Sequence, residues 1–376
     1  MASLTLQQLE KTFSGDVRAV DSLSLEVASG ELLVIVGPSG CGKTTTLRLI
    51  AGLEVPTAGT IQIGDRDVTR LAPAKRNVAM AFQDHALYPN LNVYDNLAFG
   101  LRMRGGKPAS FDADIRQMAA LLQIEELLKR RPHALSEGQR QRVALGRALV
   151  RRPECFLLDE PLASLDDTLR AQLRDDIKRL HRELDTTMIF VTHDQYEAMM
   201  LADRIAVMDK GRLQQCDMPA AVYSQPANVC VATRIGSPTM NLLRGQLVAD
   251  GDDLHFEAGP WQVSPAAAQA AALANHAGQE IVLGVRPTAV RFDSSGQATA
   301  KDTAAPDSPL TAQVTAVQAL GDSFQVELQL ADGQSLLARG SLAFEATVGD
   351  SCSCWLDAAN LHFFAADAQG RNLLCE

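Results

Sequence analysis

The sequence predicts an α/β domain built on a mostly parallel sheet, followed by a small all-β barrel domain. Three observations predict it. Over residues 1–235 short apolar runs alternate with helical patterns. A glycine-rich loop separates one of those runs from a helix. From about Gly236 the texture changes to short alternating pieces separated by Gly, Asp and Pro. A chain of 376 residues favours two domains, and the boundary is expected at 235/236, giving 1–235 and 236–376.

In order, LTLQQLEKTF (4–13) alternates as a peripheral antiparallel strand does, and TIQIGDRDV (60–68) repeats that pattern. ELLVIVG (31–37), CFLLDE (155–160), TMIFVTH (187–193) and RIAVMDKG (204–211) are nearly continuous apolar runs, which suit strands buried on both faces of a parallel sheet. Between roughly Pro89 and Arg152 the pattern is helical, so a helical subdomain is expected there. Beyond Gly236, LRGQLVA, QEIVLGVRP, LTAQVTAVQAL, FQVELQLADG and SLLARGSL have the spacing of barrel strands, and the Ala-rich PAAAQAAALANHAG (265–278) reads as a helical connection between two of them.

Composition excludes several classes. Apolar residues at 46% and charged ones at 21% are ordinary for a globular chain, and no apolar run approaches the roughly 18–20 residues of a membrane span. The N-terminus lacks the basic start and apolar run of a signal peptide, so any membrane role is expected to come through a partner. Seven scattered cysteines argue against a disulfide framework, and Cys352-x-Cys354 lacks the spacing and second pair of a zinc site. Residues 1–235 carry 29 basic and 29 acidic side chains, whereas 236–376 carry 6 and 16, so the whole net charge of −10 lies in the last third. Neither part has the basic footprint of a nucleic-acid partner.

GPSGCGKT (37–44) follows a buried strand and precedes the helical LRLIAGL, the setting in which backbone N–H groups converge on phosphate oxygens. Gly37, Pro38, Ser39, Gly40, Cys41, Gly42 and Thr45 complete that loop, with Gly40 and Gly42 expected to permit an approach that a β-carbon would obstruct. Lys43 offers a positive charge to the β/γ-phosphates and Thr44 a hydroxyl to Mg²⁺. CFLLDE places Asp159 and Glu160 at a strand end, where Asp159 can hold Mg²⁺ through water and Glu160 can polarise an attacking water. These features alone specify a nucleoside triphosphate hydrolase and nothing narrower.

LSEGQ (135–139) ahead of a basic helix narrows the class. Here the chain resembles the ATP-binding cassette family, whose signature is usually LSGGQ. Other elements of that family follow in order: Phe13, the aromatic that stacks on adenine; Gln83 in MAFQDHALYP, the glutamine between subdomains and a further Mg²⁺ contact; Asp166 in SLD (164–166), the dimer-contacting aspartate; and His193 in VTHD, the histidine near the γ-phosphate. DHALYPNLNVYDNLAFGLR (84–102), FVTHDQYEAMMLADRIAVMDKGRLQQ (190–215), IGSPTMNLL (235–243) and GVRP (284–287) are similar to importer ATPases of the carbohydrate-uptake group, the maltose and glycerol-3-phosphate types among them.

The resemblance implies a P-loop cassette ATPase domain and an OB-like C-terminal barrel. It implies ATP and Mg²⁺ at a site completed in trans by Ser136, Glu137, Gly138, Gln139 and Asp166 of a second subunit. A homodimer is the simplest such assembly, with pairing to a similar ATPase as the alternative. It further implies two membrane-spanning permease subunits docked near residues 84–102, a solute-binding protein acting indirectly, and a peripheral place on the cytoplasmic face of the membrane. The acidic residues 236–376 have two readings, a solvated barrel that widens the dimer interface and a docking surface for a regulatory protein. Two other classes compete. One is a soluble cassette ATPase acting on DNA or ribosomes, opposed by the single cassette and the absence of a basic face. The other is a binding module without turnover, opposed by Lys43, Asp159, Glu160 and His193.

Two residues stand out. Ser136 and Gln139 fit a capping box, which puts Glu137 at the first helical position. An acid there favours the helix by about 0.3–1 kcal/mol but repels a nearby phosphate, by about 2 kcal/mol at roughly 7 Å unless it pairs with Arg140. Cys41, inside the phosphate loop, is either a small residue packed away from the nucleotide or a thiol activated by Lys43 and the loop donors.

Overall fold

The computed structural model describes residues 2–81, 87–103, 108–163, 165–251, 253–292, 309–321, 323–341 and 347–375, and divides into two units, Met1–Val222 and Tyr223–Glu376. The first begins with two long antiparallel strands, β1 (Leu4–Phe13) and β2 (Val17–Val27), followed by β3 (Leu32–Val36) and helix α1 (Lys43–Ala51). Next come β4 (Ala58–Ile63), β5 (Arg66–Asp67) and β6 (Val78–Ala81). Helices α2 (Val93–Met103), α3 (Pro108–Leu121) and α4 (Glu137–Leu149) form the helical segment. The unit continues through β7 (Cys155–Asp159), α5 (Asp167–Leu184), β8 (Thr187–Thr192), α6 (Gln195–Leu201), β9 (Arg204–Asp209) and β10 (Arg212–Asp217).

The strand order β10-β9-β3-β8-β7-β6 makes one sheet, parallel except where β10 pairs with β9, and β2-β1-β4-β5 makes a second, antiparallel one. All five residues of β3 and of β7 are buried, as continuous apolar runs require when both sheet faces are covered. Leu6 and Ile61 of the antiparallel sheet, Leu47 and Ile50 of α1, and Ile35 and Leu157 of the parallel sheet share one core. Each such side chain, fully buried, contributes about 1.5–3 kcal/mol.

α1 is held at its far end by an arginine. The guanidinium of Arg76, 1% exposed, donates to Leu49 O (2.7 Å) and Ile50 O (3.0 Å) in the last turn, and to Leu71 O and Thr69 O. It satisfies carbonyls that a helix end otherwise leaves without partners, with the charge the dipole favours there.

In the second unit α8 (Val229–Arg234) follows α7 (Pro219–Ser224), which straddles the division. The strands are β11 (Asn241–Asp250), β12 (Asp253–Ala258) and β13 (Trp261–Val263), then, after α9 (Ala267–Leu273), β14 (Glu280–Val285) and β15 (Val290–Phe292). β16 (Leu310–Ala319), β17 (Ser323–Leu330), β18 (Ser335–Ser341), β19 (Ser351–Leu356) and β20 (Leu361–Ala365) complete it. They form two antiparallel five-stranded sheets, β13-β12-β11-β14-β20 and β15-β19-β16-β17-β18, over one core that includes Leu243, Phe256, Leu283, Val326 and Phe363. α9 provides the expected helical connection within residues 265–278.

The division falls before Gly236, and Arg286 of the GVRP turn accounts for it. Its buried guanidinium donates to Tyr223 O (2.7 Å), Ala232 O (3.1 Å) and Ile235 O, and lies 4.2 Å over the Tyr223 ring. These bonds tie the segment 223–235 to the all-β unit. Burial holds this guanidinium below its ordinary basicity, and carbonyls accept from its two terminal nitrogens while Nε is buried without a partner among the described residues. Among the described residues no helix is long and apolar enough to cross a membrane.

Candidate active site

β3 delivers the chain into the loop Gly37–Gly42, and α1 begins at Lys43. The loop is braced from behind by protein backbone. A β-carbon on Gly42 (φ 105°) would lie 2.2 Å from Ala19 O of β2, so only glycine fits there. At Gly40 a β-carbon would meet no protein atom within 4 Å, and its φ of 79° favours glycine. The turn between β9 and β10 adds a further brace, since Gly211 N donates to Cys41 O (3.0 Å) while Asp21 N donates to Gly211 O (2.9 Å).

Lys43, 4% exposed, donates from Nζ to Gly37 O (2.8 Å) and Pro38 O (3.0 Å), which fixes its ammonium against the loop. Thr44 Oγ1 donates to Asp159 Oδ1 at 2.9 Å, joining the two residues that the sequence pattern offers to Mg²⁺. Burial raises the Asp159 carboxyl above its ordinary range, and the Thr44 hydrogen bond partly offsets that. A buried carboxylate beside a hydroxyl is a hard-oxygen donor pair that a hard cation fits.

Cys41 is 3% exposed and packs into the core shared by the two sheets, with its backbone N donating to Pro38 O (3.2 Å). Its burial favours the packing reading over the activated thiol. Alkylation of the native protein should therefore modify the exposed Cys375 at least about tenfold faster than Cys41, a ratio that peptide mapping after a timed iodoacetamide pulse measures. Comparable rates would return Cys41 to the list of reactive thiols.

Glu160 and His193 are brought together from the ends of β7 and β8. Glu160 adopts φ 45°, a left-handed conformation that costs a non-glycine residue of order 1–3 kcal/mol. Its backbone N donates to Val191 O (3.0 Å), and its Oε2 lies 3.0 Å from His193 Nδ1. A carboxylate only accepts, so Nδ1 carries the proton in this pair. His193 is fixed by its neighbours. Thr192 Oγ1 donates to the buried Glu197 (2.6 Å) and accepts from Asp194 N (2.9 Å), while Asp194 caps α6 through Tyr196 N. Burial raises the Glu197 carboxyl above its usual range. Thr192 and Glu197 carry no short motif, and sequence reading passes over them.

Ser136 is the N-cap of α4 with the expected capping box: Gln139 N donates to Ser136 Oγ (3.3 Å) and Ser136 N to Gln139 Oε1 (3.0 Å). Glu137 is the first helical residue and pairs with Arg140, whose other nitrogen donates to Leu135 O (2.9 Å). Gly138 is buried against Leu169 of α5. Asp166 has a local task that the resemblance does not supply, as the N-cap of α5 through Leu169 N (3.0 Å). Phe13 ends β1 with its ring 39% exposed and Lys11 Nζ 4.9 Å above it. Gln83, with Asp84–Ala86 of the expected docking segment, lies outside the described residues. Beyond them, buried Asn96 anchors the 88–92 loop by accepting from Tyr88 N (2.9 Å) and donating to Leu91 O and Asn92 O.

Comparison with known proteins agrees with this layout. A model of the ABC transporter family matches residues 20–163, a MalK OB fold domain matches 236–290 and a TOBE domain matches 283–364. The chain is 44% identical over 375 residues to the sn-glycerol-3-phosphate import ATP-binding protein of Cupriavidus necator, covering 99% of each. It is 43% identical to the protein of that name from Yersinia pseudotuberculosis, covering 98% of each. Among solved structures it is similar to CbiO1 of Clostridium perfringens, part of an ABC transporter complex (26% identity, TM-score 0.56, covering 59% of this chain and 90% of that one). It is also similar to the ATP-binding cassette MJ0796 in a dimeric post-hydrolysis state with ADP and Pi (28% identity, TM-score 0.52, 57% and 98%). With its phosphate loop, paired strand-end acids and capped signature helix followed by the two matched C-terminal domains, the chain belongs to the ABC transporter family, among its ATP-binding import proteins.

Proposed function

We propose that this chain is the ATP-hydrolysing subunit of a binding-protein-dependent importer, powering uptake of a carbohydrate-class solute through separate membrane subunits. The reading rests chiefly on similarity to sn-glycerol-3-phosphate import proteins along 99% of the chain, C-terminal domains included. Lys43 and the loop amides bind the phosphates, and Phe13 offers its exposed ring to the base. Thr44 and Asp159 would hold Mg²⁺, which when bound offsets charge on the β- and γ-phosphates. Glu160 accepts a proton from, and orients, the attacking water, while the His193 ring holds that carboxylate in place through Nδ1. Two copies would face each other, so that the N-terminus of α4, with Ser136 to Gln139, and Asp166 complete the site of the opposite copy. The segment 84–102, braced by Asn96, would dock the permease subunits at the cytoplasmic membrane face.

Reconstitution of the chain with its membrane subunits and solute-binding protein in vesicles tests this reading. ATP hydrolysis should rise at least about fivefold with glycerol 3-phosphate or with a maltodextrin, because a solute-gated cycle couples binding to closure. Stimulation by neither, with turnover by an amino acid or a metal ion instead, would replace the carbohydrate assignment.

A further inference from the structure

The pairing of Glu137 with Arg140 suggests a role that the general signature pattern does not contain. Glu137 occupies the first position of α4, where an acid complements the positive end of the helix. Arg140 lies in the same first turn, where a cation opposes that dipole. Local helix energetics therefore favour the acid and disfavour the arginine. The arginine is nonetheless held firmly: one nitrogen meets Glu137 Oε2 and another donates to Leu135 O at 2.9 Å. Its side chain is 33% exposed and that of Glu137 40%, so both charges reach the surface around the helix N-terminus.

We infer that Arg140 is a positioning residue that neutralises Glu137, so that the α4 N-terminus meets the nucleotide of the opposite copy with no net side-chain charge. The guanidinium draws the carboxylate onto the Leu135–Arg140 turn and leaves the amide of Gly138 as the group presented to an anion, since that of Gln139 is taken by Ser136 Oγ. Without Arg140, Glu137 becomes a repulsive charge beside the phosphates and resists ATP-driven closure of the two copies. The acid is harmless only in company, and the pair sets how readily the site closes. This inference rests on the proposed head-to-tail pairing of two copies.

The test is a double-mutant cycle in the full-length Glu160→Gln background, where slow turnover preserves bound ATP. ATP-dependent dimerisation is read by light scattering against ATP concentration, at low and at high salt. Arg140→Ala should raise the ATP concentration for half-maximal dimerisation about tenfold at low salt, with a smaller effect at high salt. Glu137→Gly alone should lower it at low salt, because it leaves the Arg140 cation unmatched beside the phosphates. Combined with Arg140→Ala it should restore the parental midpoint to within about threefold. A purely structural role for Arg140, as an anchor on Leu135 O, predicts the opposite. The loss would then persist in the double variant and deepen, because glycine weakens the first turn. Persistence of the defect in that variant overturns the inference while leaving head-to-tail pairing intact. No ATP-dependent dimer in the parental background would remove the pairing itself, and the inference with it.

Discussion

Glu160→Gln is expected to lower ATP hydrolysis by at least about a hundredfold, a loss of about 2.7 kcal/mol in transition-state stabilisation. Glutamine keeps the shape and still accepts through its carbonyl, but it cannot take a proton from water. The residue is fixed twice, by the bond from its backbone N to Val191 O and by His193 Nδ1 at 3.0 Å, so the substitution leaves the backbone in place. ATP binding should change less than about threefold, since Lys43 and the loop amides are untouched. Single-turnover hydrolysis and equilibrium binding of labelled ATP separate the two effects. Hydrolysis within about fivefold of the parent would move the general base elsewhere. The left-handed φ of Glu160 makes this outcome especially informative, because a strained non-glycine residue persists only where its surroundings over-determine it.

Arg286→Met should lower the unfolding temperature of the second unit by roughly 10 °C or more, from a loss of about 3–5 kcal/mol. Methionine fills much of the volume, but it leaves the carbonyls of Tyr223, Ala232 and Ile235 without the donors that now satisfy them. It also removes the cation over the Tyr223 ring. Differential scanning calorimetry of the full chain should show one transition shifted and the ATP-stabilised transition nearly unchanged, because nucleotide binds the first unit. A uniform shift of both transitions would mean that the arginine supports the chain in some other way.

The parallel strands β3, β7, β8 and β9 were legible because burial on both faces leaves continuous apolar runs. The capping box of Ser136 and Gln139, and the partner of Glu137, were legible because helix geometry fixes them over three residues. β10 was not: RLQQCD is an edge strand whose side chains are at most half-buried, so it has little apolar signal. β6 is only four residues long. In the second unit β19 reads SCSCWL, where buried cysteines alternate with serines and imitate a polar stretch. The arginine clamps at 76 and 286 were invisible for another reason. A lone arginine in sequence reads as surface, and the carbonyls that bury it come from segments up to 63 residues away.

The braces behind the phosphate loop have a consequence for how such a site can diverge. Ala19 O abuts Gly42, Gly211 N holds Cys41 O, and Asp21 N in turn holds Gly211 O. The aperture of the cradle is therefore machined by main chain, which cannot be adjusted one residue at a time without disturbing two sheets. In the proposed head-to-tail pair, a lineage seeking a slower or faster pump would have its dial at the opposite jaw, where a glutamate and an arginine one helical turn apart can be exchanged without recutting the mould.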